Sequence, residues 1–400
     1  MSETTAPSMS ADDRLRGTNQ SGLRAYNERA VLTLIRAEGV IAKAEIARRT
    51  GLSPQTASVI VRALEQEELV LREAPQRGRV GQPSVPMRLN PDGAFAVGLK
   101  IGRRSADMVL MDLVGTVRGR VRQTYPFPTL AGIAGFVGTA FAELAGRLDP
   151  ARRARIAGIG VAIPFEIWDW AEEIGTPPGT MDEWREADMT ALIGDLTGLA
   201  VHVANDGTAA CAAEQVFGTL GSMDFVYFFI GTFVGGGIVV NGHLLPGRRN
   251  NAGALGSMPV PLPGGGLGQL INAASIHLLE KAMAEAGRDP RDLWRQENDW
   301  PELGDLAERW IEGVAAGLAH ATVAASAVYD FECAVIDGSL PPAIRDRLVA
   351  ATRDLMPRAH LPGLLPVEIR AGTIGTAARE LGAASLPFFD RFLLDQRTIG

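Results

Sequence analysis

The residues best suited to chemistry in this chain are an adjacent amide and carboxylate, Asn205 and Asp206. A carboxylate in a hydroxyl-lined cleft accepts a proton or a pair of hydrogen bonds, which suits a sugar whether or not a reaction follows. The same two residues also fit the start of a helix over residues 208–217, because Asn and Asp cap helix N-termini. Both interpretations are open at this point.

The N-terminal segment has the spacing of a helix-turn-helix. Apolar residues recur at helical spacing over residues 24–37, and a short helix is predicted over 43–50 that ends at Gly51. Ser53 and Pro54 then provide the N-cap and the first helical residue of a third helix. Two helices joined by a tight glycine turn form a helix-turn-helix.

The third helix has a buried apolar stripe, which leaves mostly short side chains facing outward. These are Gln55, Thr56, Ser58, Val59 and Arg62. Such side chains suit base edges and the thymine methyl in the major groove, with Arg62 expected on phosphate or guanine. Lys43, at the start of the second helix, is a further expected DNA contact.

A two-stranded wing is predicted after the third helix, over residues 72–83. Arg77 and Arg79 flank a glycine at its tip and are expected to enter the minor groove, where A·T tracts concentrate negative potential. The alternative is that three short helices and a hairpin form a small interaction domain with solvated arginines.

Composition and charge describe a soluble globular protein of two or three packed units, since 400 residues exceed one ordinary core. Hydrophobic residues make up 46% of the chain and charged residues 21%, which is ordinary for that class. Residues 1–90 hold 13 Lys+Arg and 10 Asp+Glu, which gives a net charge of +3. Because the whole chain has a net charge of −7, residues 91–400 carry a net charge of −10. The basic surplus lies where nucleic acid would be met.

The sequence predicts a cytoplasmic protein that has no metal, no cofactor and no membrane-spanning segment. Residues 1–20 are polar and lack a signal-peptide stretch, so a disordered tail is expected. Cys211 and Cys333 are too far apart for a zinc ribbon or a disulfide scaffold. The apolar run over 225–240 is interrupted by glycines and predicts two strands, with glycines 235–237 as a tight turn.

The remainder of the chain alternates strands and helices. Residues 90–93, Asn-Pro-Asp-Gly, are predicted to end the first domain, so that the domains cover 21–90 and 91–400. Beyond this break, strands are predicted at 94–101, 107–113, 117–125 and 156–163, with a helix at 130–148. This is an α/β pattern.

The sequence resembles the ROK family of repressors, open reading frames and kinases. Residues 203–208 and 230–237 are similar to its sugar-kinase core, and residues 27–90 are similar to the winged domain of its repressors, including the Gly-x-Pro exit at 81–83. The resemblance implies a winged helix-turn-helix followed by two ribonuclease-H-like lobes of the actin and hexokinase type. It places the first lobe at about 94–204 plus a helix at 376–394, and the second at about 205–375.

The phosphate loops depart from the kinase pattern. ROK kinases begin the first loop with Asp-x-Gly-Gly-Thr, and the aligned residues are Lys100, Ile101, Gly102, Arg103 and Arg104. The second loop, Gly-Thr-Gly in kinases, ends here in Phe233, whose ring occupies space that a backbone approach to phosphate needs. A nucleotide is expected to fit badly.

The sugar and zinc motifs have also changed. The family's Gly-Glu-x-Gly-His reads Gly-Ala-Leu-Gly-Ser at residues 253–257, so the sugar glutamate and the zinc histidine are absent. No cysteine remains in the aligned zinc loop at 262–271, and zinc is not expected. Asn205 and Asp206 match the kinase pair that holds sugar hydroxyls, with Asp206 at the general base. With Ser257 they are the expected effector contacts.

The segment 164–170 and Trp184 add tryptophans and carboxylates that suit a carbohydrate surface, although each tryptophan fits packing equally well. We expect a DNA-binding regulator, a repressor of carbohydrate-related genes of the xylose- or N-acetylglucosamine-repressor type. It would act as a homodimer or higher homo-oligomer, bind a sugar-like effector and lack kinase activity. The alternatives are a sugar kinase with an attached DNA-binding domain and a ligand-free dimerisation or docking module.

Overall fold

The computed structural model describes residues 11–74, 85–170, 175–177, 179–222, 224–249, 251–262, 264–295, 300, 302–359 and 362–394. The chain divides into two compact units. One contains residues 1–93 and 389–400, and the other contains residues 94–388.

The first unit is built from three helices and a small sheet. The helices are α1 (Ala11–Glu38), α2 (Lys43–Thr50) and α3 (Pro54–Gln66), and the strands are β1 (Ile41–Ala42), β2 (Val70–Arg72) and β3 (Pro86–Leu89). Strand β3 lies between β1 and β2 and pairs antiparallel with both. Gly51, with φ 67°, ends α2, and the Ser53 side chain caps α3, so the predicted helix-turn-helix is confirmed.

The start of α1 corrects the predicted tail. Residues 11–20 are helical, whereas the sequence predicted disorder up to residue 20 and a helix from residue 24. Residues 11–23 are the first part of the 28-residue helix α1. The prediction gave more weight to the polar character of the segment than to its continuity with the helix that follows.

The C-terminal segment completes the first unit. Arg29 on α1 donates hydrogen bonds to the carbonyls of Phe389 and Leu393, and the backbone N–H of Leu394 donates to Thr33 Oγ1 at 2.8 Å. Leu393 and Leu394 are buried. Residues after Phe388 therefore belong with α1, whereas the sequence assigned the helix 376–394 wholly to the first lobe.

The second unit begins with a five-stranded sheet of mixed direction. Its strands are β4 (Phe95–Ile101), β5 (Ser105–Asp112), β6 (Val117–Thr124), β7 (Ile156–Ile163) and β8 (Val201–Asn205), in the order β6-β5-β4-β7-β8. Helices α4 (Leu130–Gly146), α5 (Pro150–Arg153) and α6 (Met189–Thr197) accompany it. Strands β4 and β5 are buried throughout, and α4 and α6 pack against this sheet in one core.

A second five-stranded sheet has the same pattern of directions. Its strands are β9 (Phe225–Ile230), β10 (Val234–Val240), β11 (His243–Leu244), β14 (Cys333–Gly338) and β15 (Glu368–Ala371), in the order β11-β10-β9-β14-β15. Strands β12 (Pro259–Pro261) and β13 (Leu267–Gln269) form a separate hairpin. The helices are α7 (Asp206–Phe217), α8 (Ile276–Glu285), α9 (Asp292–Arg295), α10 (Asp305–Ser326), α11 (Pro342–Ala359) and α12 (Ala378–Arg391). The repeated sheet confirms the predicted two-lobed fold.

Helices α7 and α12 pack tightly at the centre of this unit. Ala209 on α7 and Ala383 on α12 share a small core with Ala162 on β7, while Cys211 on α7 packs against the second sheet. A Cβ on Gly382 would lie 1.7 Å from the carbonyl oxygen of Ala209. Only glycine permits this approach between the two helices.

Glycines 235–237 are not the predicted turn. They lie within β10, and residues 231–233 make the connection from β9. A Cβ on Gly237 would lie 2.5 Å from the Cβ of Cys211, and one on Gly236 would lie 2.0 Å from the Tyr227 carbonyl oxygen. The glycines therefore serve close packing against α7 and β9. Within the described ranges, no helix is long and apolar enough to cross a membrane.

Candidate functional site

The outward face of α3 is the candidate DNA-binding surface. Ser53 Oγ accepts from the backbone N–H of Thr56 at 3.1 Å and holds the first turn of the helix. All the predicted base-reading side chains are exposed: Gln55, Thr56, Ser58, Val59 and Arg62. Val59 is 62% exposed, so this face carries one large apolar side chain among polar ones.

The other predicted DNA contacts are placed differently. Lys43 Nζ lies 3.5 Å from Glu65 Oε2, and Glu65 also pairs with Arg72, so Lys43 takes part in an ion-pair network within the domain. Arg77 and Arg79 lie outside the described residues. The strands that lead to and from them are β2 and β3.

A cavity of about 290 Å³ lies in the second unit at the ends of β8 and β10. Asn205, Asp206 and Ser257, the three predicted effector contacts, all line it. Four further polar residues line the same cavity: Arg103, Glu166, Asp169 and Asn251. Glu166 and Asp169 belong to the segment 164–170, whose carboxylates the sequence offered for a carbohydrate surface, whereas Arg103 and Asn251 were not predicted to contact an effector. Glu166 has φ 46°, an uncommon conformation for a residue with a side chain, and such strain occurs often at binding sites.

Asn205 is the N-cap of α7. Its Oδ1 accepts hydrogen bonds from the backbone N–H groups of Gly207 at 3.0 Å and Thr208 at 3.3 Å. The capping interpretation is therefore confirmed, and its side-chain oxygen is used within the protein. The Asn205 side chain also lines the cavity, and its amide NH₂ group is of a type that donates hydrogen bonds to sugar oxygens.

Asp206 is paired with a cation from the last helix. Its Oδ2 lies 3.5 Å from the guanidinium of Arg379, which also donates to Ser339 Oγ at 2.9 Å. The Arg379 guanidinium lies 4.8 Å from the centre of the Phe229 ring. Asp206 keeps a partly exposed carboxylate at the cavity wall, so it is able to accept hydrogen bonds from a ligand.

The segment aligned with the kinase phosphate loop forms a buried charge network. Lys100 Nζ lies 3.0 Å from Asp107 Oδ2 and 2.6 Å from Ser105 Oγ. Burial opposes ionisation of Asp107, but the Lys100 ammonium and the Arg122 guanidinium hold its pKa below the ordinary value. Lys100 thus stands in place of the kinase aspartate with a carboxylate partner of its own.

Large side chains fill the space beside this network. The guanidinium of Arg103 lies 4.4 Å from the centre of the Phe233 ring, and that of Arg104 lies 3.6 Å from Glu280. The cavity left at this position is about 30 Å³, enough for roughly one water molecule.

The segment aligned with the zinc loop does not suit zinc. Residues 267–269 of this segment form β13, and the helical turn Leu270–Asn272 follows it. Neither Cys nor His occurs between Leu244 and Ile276 in the sequence. Zinc in structural sites is held by thiolate and imidazole ligands. Ser257, which replaces the expected histidine, faces the cavity as a hydroxyl group.

Two buried carboxylates hold the loop that precedes α12. Glu214 on α7 accepts from the backbone N–H of Thr373 at 2.8 Å, and Asp337 at the end of β14 accepts from that of Gly375 at 2.9 Å and from the Tyr227 hydroxyl. Burial raises the pKa of both carboxyls above their ordinary values. The loop therefore places the first turn of α12, and with it Arg379.

Of the tryptophans of the predicted carbohydrate surface, Trp168 and Trp184 do not line the cavity, and the side chain of Trp170 lies outside the described part of the structure. Trp184 is buried in the first-lobe core and donates to the Pro128 carbonyl at 3.2 Å, and Trp168 packs against the same core. From the segment 164–170, Phe165, Glu166 and Asp169 reach the cavity.

A winged helix-turn-helix joined to a two-lobed domain with such a cleft is the architecture of a DNA-binding transcriptional regulator. The chain belongs to the ROK family, whose model matches residues 96–387, and a winged helix-turn-helix DNA-binding model matches residues 24–70.

Relatives include repressors and kinases. The xylose repressor of Bacillus subtilis is 25% identical over 251 residues, which cover 62% of this chain and 63% of the repressor. The bifunctional enzyme NanE/NanK of Brucella suis is 30% identical over 296 residues, which cover 70% of this chain and 53% of the enzyme. A ROK family transcriptional regulator, a homolog of the E. coli Mlc protein, shares the fold with a TM-score of 0.66 at 21% identity, covering 94% of this chain and 100% of that one.

Proposed function

We propose that this protein is a repressor of carbohydrate-related genes whose DNA binding is controlled by a sugar-like effector in the cavity of the second unit. The observation that carries the proposal is the contrast within one domain. The cavity keeps Asn205 and Asp206, whereas the phosphate-loop segment is filled by arginines and ring side chains. Binding of a sugar needs only the cavity with Asn205 and Asp206. Phosphoryl transfer needs that cavity and also a phosphate loop with room for a nucleotide.

The exposed face of α3 would read the operator in the major groove. Gln55 and Ser58 offer donors and acceptors to base edges, and Val59 offers an apolar contact to a thymine methyl. A homodimer would present two such helices to half-sites about one helical turn apart. Arg62, Arg77 and Arg79 would contribute the salt-dependent part of the affinity.

The cavity suits a monosaccharide or a similar polyol. Its polar lining combines carboxylates, amides, one hydroxyl and the Arg103 guanidinium, groups that together are able to accept from and donate to several ligand hydroxyls. A ligand that binds both lobes would change the angle between them and so favour one state of the DNA-binding unit.

A sugar kinase with an attached DNA-binding domain is the second candidate, favoured by the retained Asp206 at the position of the kinase base and by the kinase relative. It requires ATP turnover with a sugar, abolished by Asp206→Asn. We expect no sugar-dependent turnover, because the phosphate-loop segment leaves about 30 Å³.

The test is a thermal-shift panel of the full chain against pentoses, hexoses, N-acetylhexosamines, their phosphates, polyols and ATP. Stabilisation by a sugar but not by ATP supports the proposal, and Asp206→Asn and Ser257→Ala should both weaken it. Stabilisation by ATP together with turnover would establish the kinase. No stabilisation by any compound would leave a dimerisation or docking module.

A further inference from the structure

Another cavity of the second unit lies between α10, α11 and the segment that leads into β15. Its volume is about 290 Å³, and none of the described residues that line it also lines the cavity at Asn205. An apolar cavity of about 150 Å³ holds a benzene molecule, so this cavity has room for a ligand about twice that size. It is therefore large enough for a small molecule and separate from the proposed effector site.

The walls of this cavity are apolar. Val323 comes from α10, Met356 and Pro357 come from the end of α11, and Leu365 and Val367 come from the segment before β15. Val367 is 8% exposed, whereas Leu365 is 69% exposed. A ligand with an apolar body would cover the Leu365 side chain and remove apolar surface from water on both partners, which favours binding.

The polar side chains at this cavity are a hydroxyl and a cation. Ser326 Oγ donates to the Thr322 carbonyl of its own helix at 2.8 Å. Arg353 Nη2 donates to the Ile369 carbonyl at 2.9 Å, which is the single hydrogen bond of this guanidinium within the described ranges. A guanidinium carries more N–H donors than this bond uses. The bond to Ile369 thus positions the Arg353 side chain and leaves donors for a ligand.

The charge at this cavity is positive. No Asp or Glu is among the described residues that line it. Glu368, which follows the lining residue Val367, is bonded to Arg370 at 2.6 Å. That hydrogen bond is the main reason why the pKa of Glu368 lies below its ordinary value, and the Arg353 charge adds less. Arg353 is therefore the charged group that a ligand in this cavity would meet.

We propose that this cavity binds a small carboxylic acid with an alkyl or aromatic body. The planar guanidinium of Arg353 pairs with the carboxylate through parallel N–H···O bonds, and the apolar walls contact the body. A sugar would leave most of its hydroxyls without partners at these walls, which costs free energy. The ligand class therefore differs from that of the effector cavity, and the proposal does not rest on the proposed function.

The test is isothermal titration calorimetry of the full chain with octanoate and with phenylacetate, and with octanol as the uncharged counterpart. We expect one octanoate per chain and about ten-fold weaker binding of octanol, because octanol lacks the charge-assisted hydrogen bonds. Arg353→Gln should weaken octanoate binding about ten-fold and leave octanol binding unchanged. Arg347→Gln is the matched control, since it removes another cation of α11 that pairs with Glu308 and does not line this cavity.

Two further variants locate the site. Ser326→Phe fills the cavity and should abolish binding of both acids, with circular dichroism as the check that the variant is folded. Asp206→Asn, in the other cavity, should leave octanoate binding unchanged, so the result stands apart from the outcome of the sugar panel.

Three results would overturn the proposal. The first is an absence of binding by either acid, and the second is octanoate binding that Arg353→Gln leaves unchanged. The third is an absence of binding together with a smaller sedimenting species for Ser326→Phe than for the wild type, which would show that a second copy of the chain covers the cavity.

Discussion

Asn205 combines two roles that substitution can separate. Its oxygen caps α7 through the N–H groups of Gly207 and Thr208, and we propose that its NH₂ group contacts the effector. Asn205→Ser keeps a capping oxygen and loses the amide donor, whereas Asn205→Ala loses both. The difference between the two variants isolates the cap.

The expected magnitude follows from the cap. Loss of a capping side chain costs about 1 kcal/mol, so Asn205→Ala should lower the free energy of unfolding by about that much relative to Asn205→Ser. For a unit of this size the melting temperature should fall by about 2 °C. Urea unfolding at fixed pH measures the first quantity, and a thermal scan measures the second.

The stabilisation by a bound sugar should depend on the amide NH₂ group of Asn205 and not on its capping oxygen. Both variants should lose most of the stabilisation that a sugar from the panel gives the wild type, because both lack the amide donor. Equal stability of the two variants would refute the capping argument. Full sugar stabilisation of Asn205→Ser would refute the assignment of the amide to the effector.

Three further predictions concern the charged groups. Lys100→Asp should destabilise the protein by about 3–5 kcal/mol in urea unfolding, because it leaves the buried Asp107 without its main counter-charge; an unchanged unfolding midpoint would contradict this. Asp337 has a pKa raised by burial, so the stability it supports is full at low pH and declines as pH rises above the ordinary value of 3.8. Asp337→Asn should remove that decline, and parallel pH profiles of the two proteins would count against it. Arg62→Ala should weaken binding to an operator fragment and reduce the salt slope by about one, whereas an unchanged slope would exclude a phosphate contact.

The parts of the fold that rest on local signals could be predicted from the sequence. Helix α2 ends at Gly51 as predicted, Ser53 and Pro54 begin α3, and β7 spans the predicted residues 156–163. In each case the signal is contained in a few consecutive residues: a left-handed glycine, a cap, or a short apolar run. Such signals are local and do not depend on tertiary packing.

The parts that depend on distant packing could not be predicted. Glycines 235–237 look like a turn in the sequence, and only the approach of α7 explains their place in a strand. Arg103 and Asn251 line the cavity together with Asn205 although they are far apart in the chain, and their spacing carries no signal. Residues 389–394 group with the first unit because Arg29, hundreds of positions earlier in the chain, donates a hydrogen bond to the Leu393 carbonyl.

The basic side chains of the phosphate-loop segment are paired within the fold, so we expect that restoring one residue of the kinase pattern would not be enough to create a phosphate site. The kinase aspartate is replaced by Lys100, but the ammonium is bonded to Ser105 and Asp107, so restoring an aspartate would put two carboxylates together in a buried position. Arg104 is likewise paired with Glu280, and Arg379 with Asp206 and Ser339. Each basic side chain thus has a partner inside the fold, and removing it for a phosphate would expose a buried carboxylate or hydroxyl. We infer that the charges in this half of the cleft stabilise the domain and position α12, and that ligand recognition is left to the half that contains Asn205 and Asp206.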